Sequence, residues 1–204
     1  MASAFKVFIA ESNGPEDFYI GQLDGFAANE VLKVRRITGR YRVVFNREML
    51  NKAINEAVKL DADIFHLSCH GNEDGIQLTD QRSNGEGEFL SWEEVAADFQ
   101  PFATKDKILV NSSCGGGHGG VSEAFSKVTN KFGFICGSTA DTVTFHDSCL
   151  AWSVLYNVLV KQGLTSKLSF QEAITKINKV VSGDFVYRRW DSNKKTYRHW
   201  TGKE

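Results

Sequence analysis

Proline is nearly missing from this chain, with 2 in 204 residues, and no long Ser/Gly/Pro run interrupts it. That scarcity argues against an interdomain linker, so residues 1–204 are expected to form one domain. No apolar stretch approaches the length of a membrane span. The opening Met-Ala-Ser-Ala-Phe-Lys runs straight into a strand-like apolar pattern and lacks a signal peptide's layout. A cytoplasmic protein with no membrane partner is the expectation. Charge of one sign is also lacking, and a formal net charge of −1 offers no bulk attraction to nucleic acid. The 4 cysteines (Cys69, Cys114, Cys136 and Cys149) form no Cys-x-x-Cys pair and read as free thiols. Internal repeats and low-complexity tracts are absent.

What is present is an alternation of apolar strands and amphipathic helices. Strand patterns occur at Phe5 to Ala10, Tyr41 to Phe45, Ile64 to His70, Ile108 to Asn111 and Phe132 to Cys136. Between them, Phe26 to Ile37 has helical spacing that Gly39 is expected to end, while Glu16 to Gly25 fits either period. Asn46 caps a helix whose Met49, Leu50, Ala53, Ile54, Ala57 and Val58 share one face. Ile76 to Leu78 reads as a short strand between polar, glycine-bearing loops, the second running from Gln81 to Glu88. Ser91-Trp92-Glu93-Glu94 is a capping box that opens a short helix. Helices are expected from about Ser148 to Lys161 and from Ser169 to Val181. Residues 185–204 suggest a closing hairpin around Asp191-Ser192-Asn193-Lys194. The pattern predicts an α/β fold with a mostly parallel sheet.

Two strands carry the chemistry. Ile64 to Gly71 ends in His70-Gly71, and Ile108 to Gly115 ends in Cys114-Gly115. In open α/β sheets, ligands gather outside the carboxyl ends of the strands, so both reactive groups are expected at one edge. A thiol with an imidazole beside it is the minimum equipment of a cysteine nucleophile and its general base. The glycines after Cys114 let backbone N–H groups approach a developing oxyanion, and Gly71 would offer a second N–H there. Strand alternation turns His66, Ser68 and His70 to one face and Leu67 and Cys69 to the other. Cys69 and His66 are therefore read as packing residues, as are Cys136 and Cys149. A metal site drawn from Cys114, His118 and Cys69-His70 is disfavoured, because adjacent Cys69 and His70 point to opposite faces. The glycine run lacks the Gly-Lys-Ser/Thr ending of a phosphate cradle. The basic, aromatic tail (Arg188, Arg189, Lys194, Lys195 and Arg198 among Tyr187, Trp190, Tyr197 and Trp200) reads as a two-faced hairpin rather than a nucleic-acid site.

Taken in order, His-Gly after one strand, Ser-Cys-Gly after the next, and then Phe134-Ile135-Cys136-Gly137-Ser138 resemble the caspase-fold cysteine peptidases. This is the clan of caspases, separase and gingipains, and the likeness is closest to the bacterial CHAT domains. Leu90 to Glu94 and Phe170 to Ile174 add to it. His before Cys, at an interval near the roughly 50 residues of caspases, excludes the papain order. The resemblance implies a three-layer caspase-like sandwich, with a mostly parallel central sheet flanked by helices. It implies His70 as base, Cys114 as nucleophile, and the backbone N–H groups of Gly71 and Cys114 as oxyanion hole. It also implies hydrolysis of protein substrates through an acyl-enzyme, no cofactor or metal, and a regulatory or sensor protein partner of the kind used in bacterial defence. Ser112-Ser113-Cys114-Gly115-Gly116 departs from the caspase Gln-Ala-Cys-x-Gly signature. A caspase pocket holds a substrate aspartate with arginines, whereas the loop expected after the first strand, Glu11 to Asp17, is acidic and the loop beyond the fifth strand carries Asp141 and Asp147. A basic P1 residue with Asp141 or Asp147 as counter-charge is therefore expected. Two alternatives remain open: a catalytically silent caspase-fold interaction module, and a non-proteolytic thiol hydrolase or acyltransferase.

Overall fold

The computed structural model describes residues 5–79, 87–164 and 166–202. Its elements follow the order β1 (Lys6–Ser12), α1 (Pro15–Ile20), α2 (Asp24–Val34), β2 (Thr38–Val43), α3 (Arg47–Leu60), β3 (Ile64–Gly71), β4 (Gly75–Leu78) and β5 (Glu88–Ser91). Then come α4 (Trp92–Asp98), β6 (Ile108–Ser112), α5 (Gly119–Lys127), β7 (Phe134–Ser138), α6 (Phe145–Gln162), α7 (Lys167–Val180), β8 (Phe185–Asp191) and β9 (Thr196–Trp200). The main sheet runs β2-β1-β3-β6-β7-β8-β9, and β4 and β5 extend the end of β3 as an antiparallel ribbon. Strands β2 to β7 along that path are parallel, while β8 and β9 are antiparallel.

The period-2 pattern of the strands divides the core in two. Phe8, Ala10, Phe65, Leu67, Cys69, Leu109 and Ile135 face α3, α4 and α5. Val7, Ile9, Ile64, Ile108, Val110, Phe134 and Cys136 face α2, α6 and α7. Helices therefore cover both faces, which is why the central strands read as continuous apolar runs. The result is a caspase-like three-layer α/β sandwich.

Several boundaries differ from the expectation. Gly39 does not end the second helix but lies inside β2, which begins at Thr38. The ambiguous stretch from Glu16 to Gly25 holds most of a six-residue helix that opens at Pro15, and the start of another. Glu11 and Ser12 belong to β1 rather than to an acidic loop after it. Helix α6 starts earlier than expected because Thr144 caps it through the Asp147 N–H. Of the loop expected from Gln81 to Glu88, residues 81–86 lie outside the described residues, and Glu88 opens β5. The caps at Asn46 and Ser91 and the closing hairpin lie where the sequence puts them.

Phe65 is the hub of the first core. Its ring stacks on Phe8 at 5.4 Å and meets Phe99 and Phe102 edge-on at 4.8 and 5.7 Å. Truncating a buried phenylalanine costs the transfer free energy of the ring plus the cavity it leaves. Phe65→Ala is expected to lower the unfolding free energy by about 3–5 kcal/mol, read as a shift of the chemical denaturation midpoint.

Candidate active site

The strand order reverses between β1 and β3, because the chain crosses from β1 to β2 on one side and returns to β3 on the other. Such switch points open a crevice at the carboxyl ends of the strands. Each sequence-derived candidate can be located relative to that crevice. In the parallel pair β3 and β6, Ser68 lies opposite Ser112. His70 and Cys114 each follow two residues beyond this pair, so both leave the sheet at the same edge.

The loops behind them are packed together. Gly115 has a φ of 68°, and a side chain there would meet the Asn72 carbonyl carbon at 2.7 Å and the Glu73 nitrogen at 2.8 Å. A Cβ on Gly71 would stand 3.0 Å from the Cβ of Ser113. Only glycine allows the turn after the thiol and the turn after the imidazole to approach this closely. Asn111 pins the thiol loop from below, donating to the Gly116 carbonyl at 3.1 Å and accepting from the Ser113 hydroxyl at 3.0 Å. The N–H groups of Gly115, Gly116 and Gly117 bond to the carbonyls of Ala140, Ser113 and Ser138. No acceptor takes the Cys114 N–H among the described residues. Helix α5 does not begin at the thiol. Four turn residues intervene, and His118 caps the helix by accepting from Gly120.

Cys114 Sγ accepts the N–H of Val143 at 3.3 Å. His70 is half-exposed, with its ring edge-on to Phe145 at 5.8 Å and its Nε2 2.8 Å from Asp17 Oδ2. The remaining candidates are packing residues or lie elsewhere. Cys69 is buried in the core opposite α2, and burial pushes its thiol well above the ordinary value. Cys136 is buried with the same effect. His66 is fully buried, with its Nδ1 2.8 Å from the Tyr156 hydroxyl, and desolvation pushes its pKa down to about 3. Asp141 is exposed in the loop before Val143. The Asp147 carboxylate takes the Thr144 hydroxyl at 3.0 Å and lies 4.0 Å from His146 Nδ1. Among the described residues, no three His, Cys, Asp or Glu side chains converge as metal ligands, and no helix is long and apolar enough to cross a membrane.

Beneath His70 and Cys114 lies a buried acidic cluster that sequence reasoning did not single out. Asp24, at the start of α2, accepts the Ser68 hydroxyl on Oδ1 at 2.6 Å and the Ser112 hydroxyl on Oδ2. Trp152 Nε1 donates to Ser112 Oγ at 2.6 Å. Glu11 Oε1 accepts from the Gly25 N–H at 2.9 Å, and Oε2 accepts from the Tyr41 hydroxyl at 2.6 Å and the Phe26 N–H at 3.0 Å. Desolvation raises both carboxyls, opposed by these hydrogen bonds, and the nearby Asp24 charge also raises Glu11, which reaches about 7. Next to the cluster is a cavity of about 510 Å³, lined by Leu23, Asp24, Ala27, Thr144, Phe145 and Cys149 among others. Asp141 and Asp147 are not among its lining residues.

No protein-family profile matches the sequence, and no curated protein matches it. The fold is similar to that of a secreted C11 cysteine protease from Bacteroides thetaiotaomicron, "iotapain", known from its X-ray structure. The TM-score is 0.55 at 11% identity, and the match covers 96% of this chain and 68% of that one. At that identity the likeness establishes the caspase-like fold and nothing finer.

The raised Glu11 carboxyl sets a pH dependence. Its folded pKa of about 7 lies above the ordinary carboxyl value of 4.5. The folded state therefore holds a proton that the unfolded chain has released, and stability is lost as pH rises from about 4.5 to about 7. The contribution is about 3 kcal/mol at full effect. Urea unfolding at a series of pH values is expected to show this decline in the wild type, and Glu11→Gln is expected to flatten it.

Proposed function

We propose that the chain is a cysteine endopeptidase acting on protein substrates, with Cys114 as nucleophile and His70 as its base. The observation that carries the reading is the Ser68–Ser112 register, with Asp24 spanning both hydroxyls. It supports a thiol and an imidazole held two residues further on, at the carboxyl ends of two neighbouring strands of a caspase-like sheet. His70 takes the Cys114 proton, and the sulfur attacks the scissile carbonyl carbon, moving its π electrons onto oxygen. The N–H groups of Gly71 and Cys114 receive that oxyanion. The imidazolium gives its proton to the leaving nitrogen as the C–N bond breaks, which leaves a thioester. Water, deprotonated by His70, then attacks the thioester carbon, and the C–S bond breaks to restore the thiol. Within the clan, Leu90 to Glu94 and Phe170 to Ile174 favour a CHAT-like enzyme under the control of a protein partner.

The proposal extends to a basic P1 residue. The cavity begins at Thr144, one residue beyond the Val143 N–H that touches the thiol. Its walls at Leu23, Ala27 and Phe145 are apolar, and the acidic residue Asp24 is among those that line it. An aliphatic stem ending in a cation matches that combination, as the stems of Lys and Arg pack on apolar surface while the charge seeks a partner. Asp147 and Asp141 then add negative potential behind the Thr144–His146 rim and in the loop before it.

A fluorogenic peptide library tests both levels. The wild type is expected to cleave after Arg or Lys, and Cys114→Ala is expected to abolish cleavage. Asp24→Asn should lower kcat/KM on basic substrates by about 100-fold or more, the loss expected when a buried ion pair loses one partner. Asp141→Asn and Asp147→Asn, which change charges outside the cavity lining, should each cost less than about 5-fold. Cleavage confined to Asp-P1 peptides would sink the specificity. An inert wild type would favour the silent module, and turnover of small thioesters without peptides would favour the acyl-transfer reading.

A further inference from the structure

We infer that Asp17 is a positioning residue for His70, so that thiol, imidazole and carboxylate act in line as Cys114–His70–Asp17. The inference rests on the cysteine–histidine reading above and concerns a group that reading does not require. His70 Nε2 lies 2.8 Å from Asp17 Oδ2, a distance typical of a charge-assisted hydrogen bond. The carboxylate is the better shielded of the two, with 17% of its side chain exposed against 49% for the histidine. Its ligand oxygen is itself held, because the same Oδ2 accepts the Gly14 N–H at 2.8 Å. Phe145 packs against the ring and limits its rotation.

This arrangement assigns the tautomer. Nε2 carries the hydrogen and donates it to Asp17, which leaves the Nδ1 lone pair to take the thiol proton. When Nδ1 is protonated, the adjacent carboxylate stabilises the imidazolium without taking the proton itself, the part played by the acid of a serine triad. The carrier of this carboxylate is unusual. Helix α1 buries none of its side chains, and Tyr19 and Ile20 are exposed. Its place depends on the His70 contact and on backbone bonds at its two ends, Phe18 N–H to Gly14 O at 3.1 Å and Gln22 N–H to Asp17 O at 2.9 Å. A hydrophobic core therefore does not explain why an acid stands at this point; the capping box, in which Asp17 takes the Gly14 N–H, accounts for an acid in the first turn, and the imidazole accounts for its remaining contact.

The other charged groups around the two strand ends are already engaged or lie behind the cavity rim. Glu73 faces His118 at 3.9 Å, His146 faces Asp147 at 4.0 Å, and Asp24 is bound to Ser68 and Ser112. Among the described residues, the carboxylate that meets the His70 ring is that of Asp17.

The test follows the alkylation of Cys114 by iodoacetamide across pH 5 to 10, resolved from the other cysteines by peptide mapping. Wild type is compared with Asp17→Asn, Asp17→Glu and His70→Ala. Asn can keep an acceptor for both N–H groups while losing the charge. It is expected to slow alkylation near pH 6 about 10-fold and to leave the rate near pH 10 unchanged, because only the imidazolium–thiolate pair needs the carboxylate. Asp17→Glu should restore part of the rate. With a cleavable peptide, Asp17→Asn should lower kcat about 10–100-fold with little change in KM. Superimposable profiles for wild type and Asp17→Asn, alongside an altered His70→Ala profile, would overturn the role of Asp17 alone. An unaltered His70→Ala profile would instead remove the cysteine–histidine pair. Melting temperatures of all variants show whether a loss comes from unfolding, and Asp17→Glu provides the second readout if Asn proves unstable.

Discussion

One carboxyl group, that of Asp24, ties the site to the sheet. It lies at the start of α2, is almost wholly buried, and bonds at once to Ser68 of β3 and Ser112 of β6. Parallel neighbours are joined along their length by evenly spaced backbone bonds, which say nothing about where each strand's end turns away. A carboxylate that spans two register-matched hydroxyls adds a constraint at the last residues before the chain leaves the sheet. His70 and Cys114 inherit that constraint, since each stands two residues beyond a clamped serine. The cost is real, because burial disfavours a charged carboxyl, and the Asp24 charge in turn helps to raise a second acid, Glu11. Serine, tyrosine and backbone donors offset part of it. Buried polar groups carrying such a cost are usually retained for geometry or function rather than for stability.

The two loops that carry His70 and Cys114 show how far a sequence can be read. Strand ends followed by glycine placed His70 and Cys114 at one edge, because an apolar run and a turn signal are local features. The alternation that turns Cys69 away from His70 is likewise local, and the two cores bear it out. Caps behaved in the same way at Asn46 and Ser91. The failures arose where a residue's environment is made by distant segments. Gly39 looked like a helix stop, yet pairing with β1 extends the chain through it. Glu11 looked like part of a solvated acidic loop, but its side chain is sealed under Gly25, Phe26 and Tyr41, residues 14 to 30 positions away. Asp24 carried no signal at all, because its partners are serines, which are too common to mark a site. Asp17 stood in plain view as an acid after a strand, and only the fold shows which histidine it reaches.

The contrast between His66 and His70 shows what the edge of the sheet contributes. Both lie on one strand and point to one face, and they differ only by two steps of the side-chain period. His66 is enclosed by α6, where Tyr156 engages one nitrogen and Trp152 meets the ring at 5.8 Å. Its other nitrogen has no hydrogen-bond partner among the described residues, and burial holds the ring neutral at any physiological pH. A ring that cannot accept a proton cannot serve as a general base. His70 has emerged far enough to be half solvated, yet still has a carboxylate on one nitrogen and an aromatic ring against its side. Proton exchange with a substrate needs that intermediate placement, with water close enough to support the charged form and neighbours fixed enough to orient it. The apolar run from Ile64 to Leu67 accordingly has two functions. It buries one histidine as core, and its length determines how far beyond the core the second one stands.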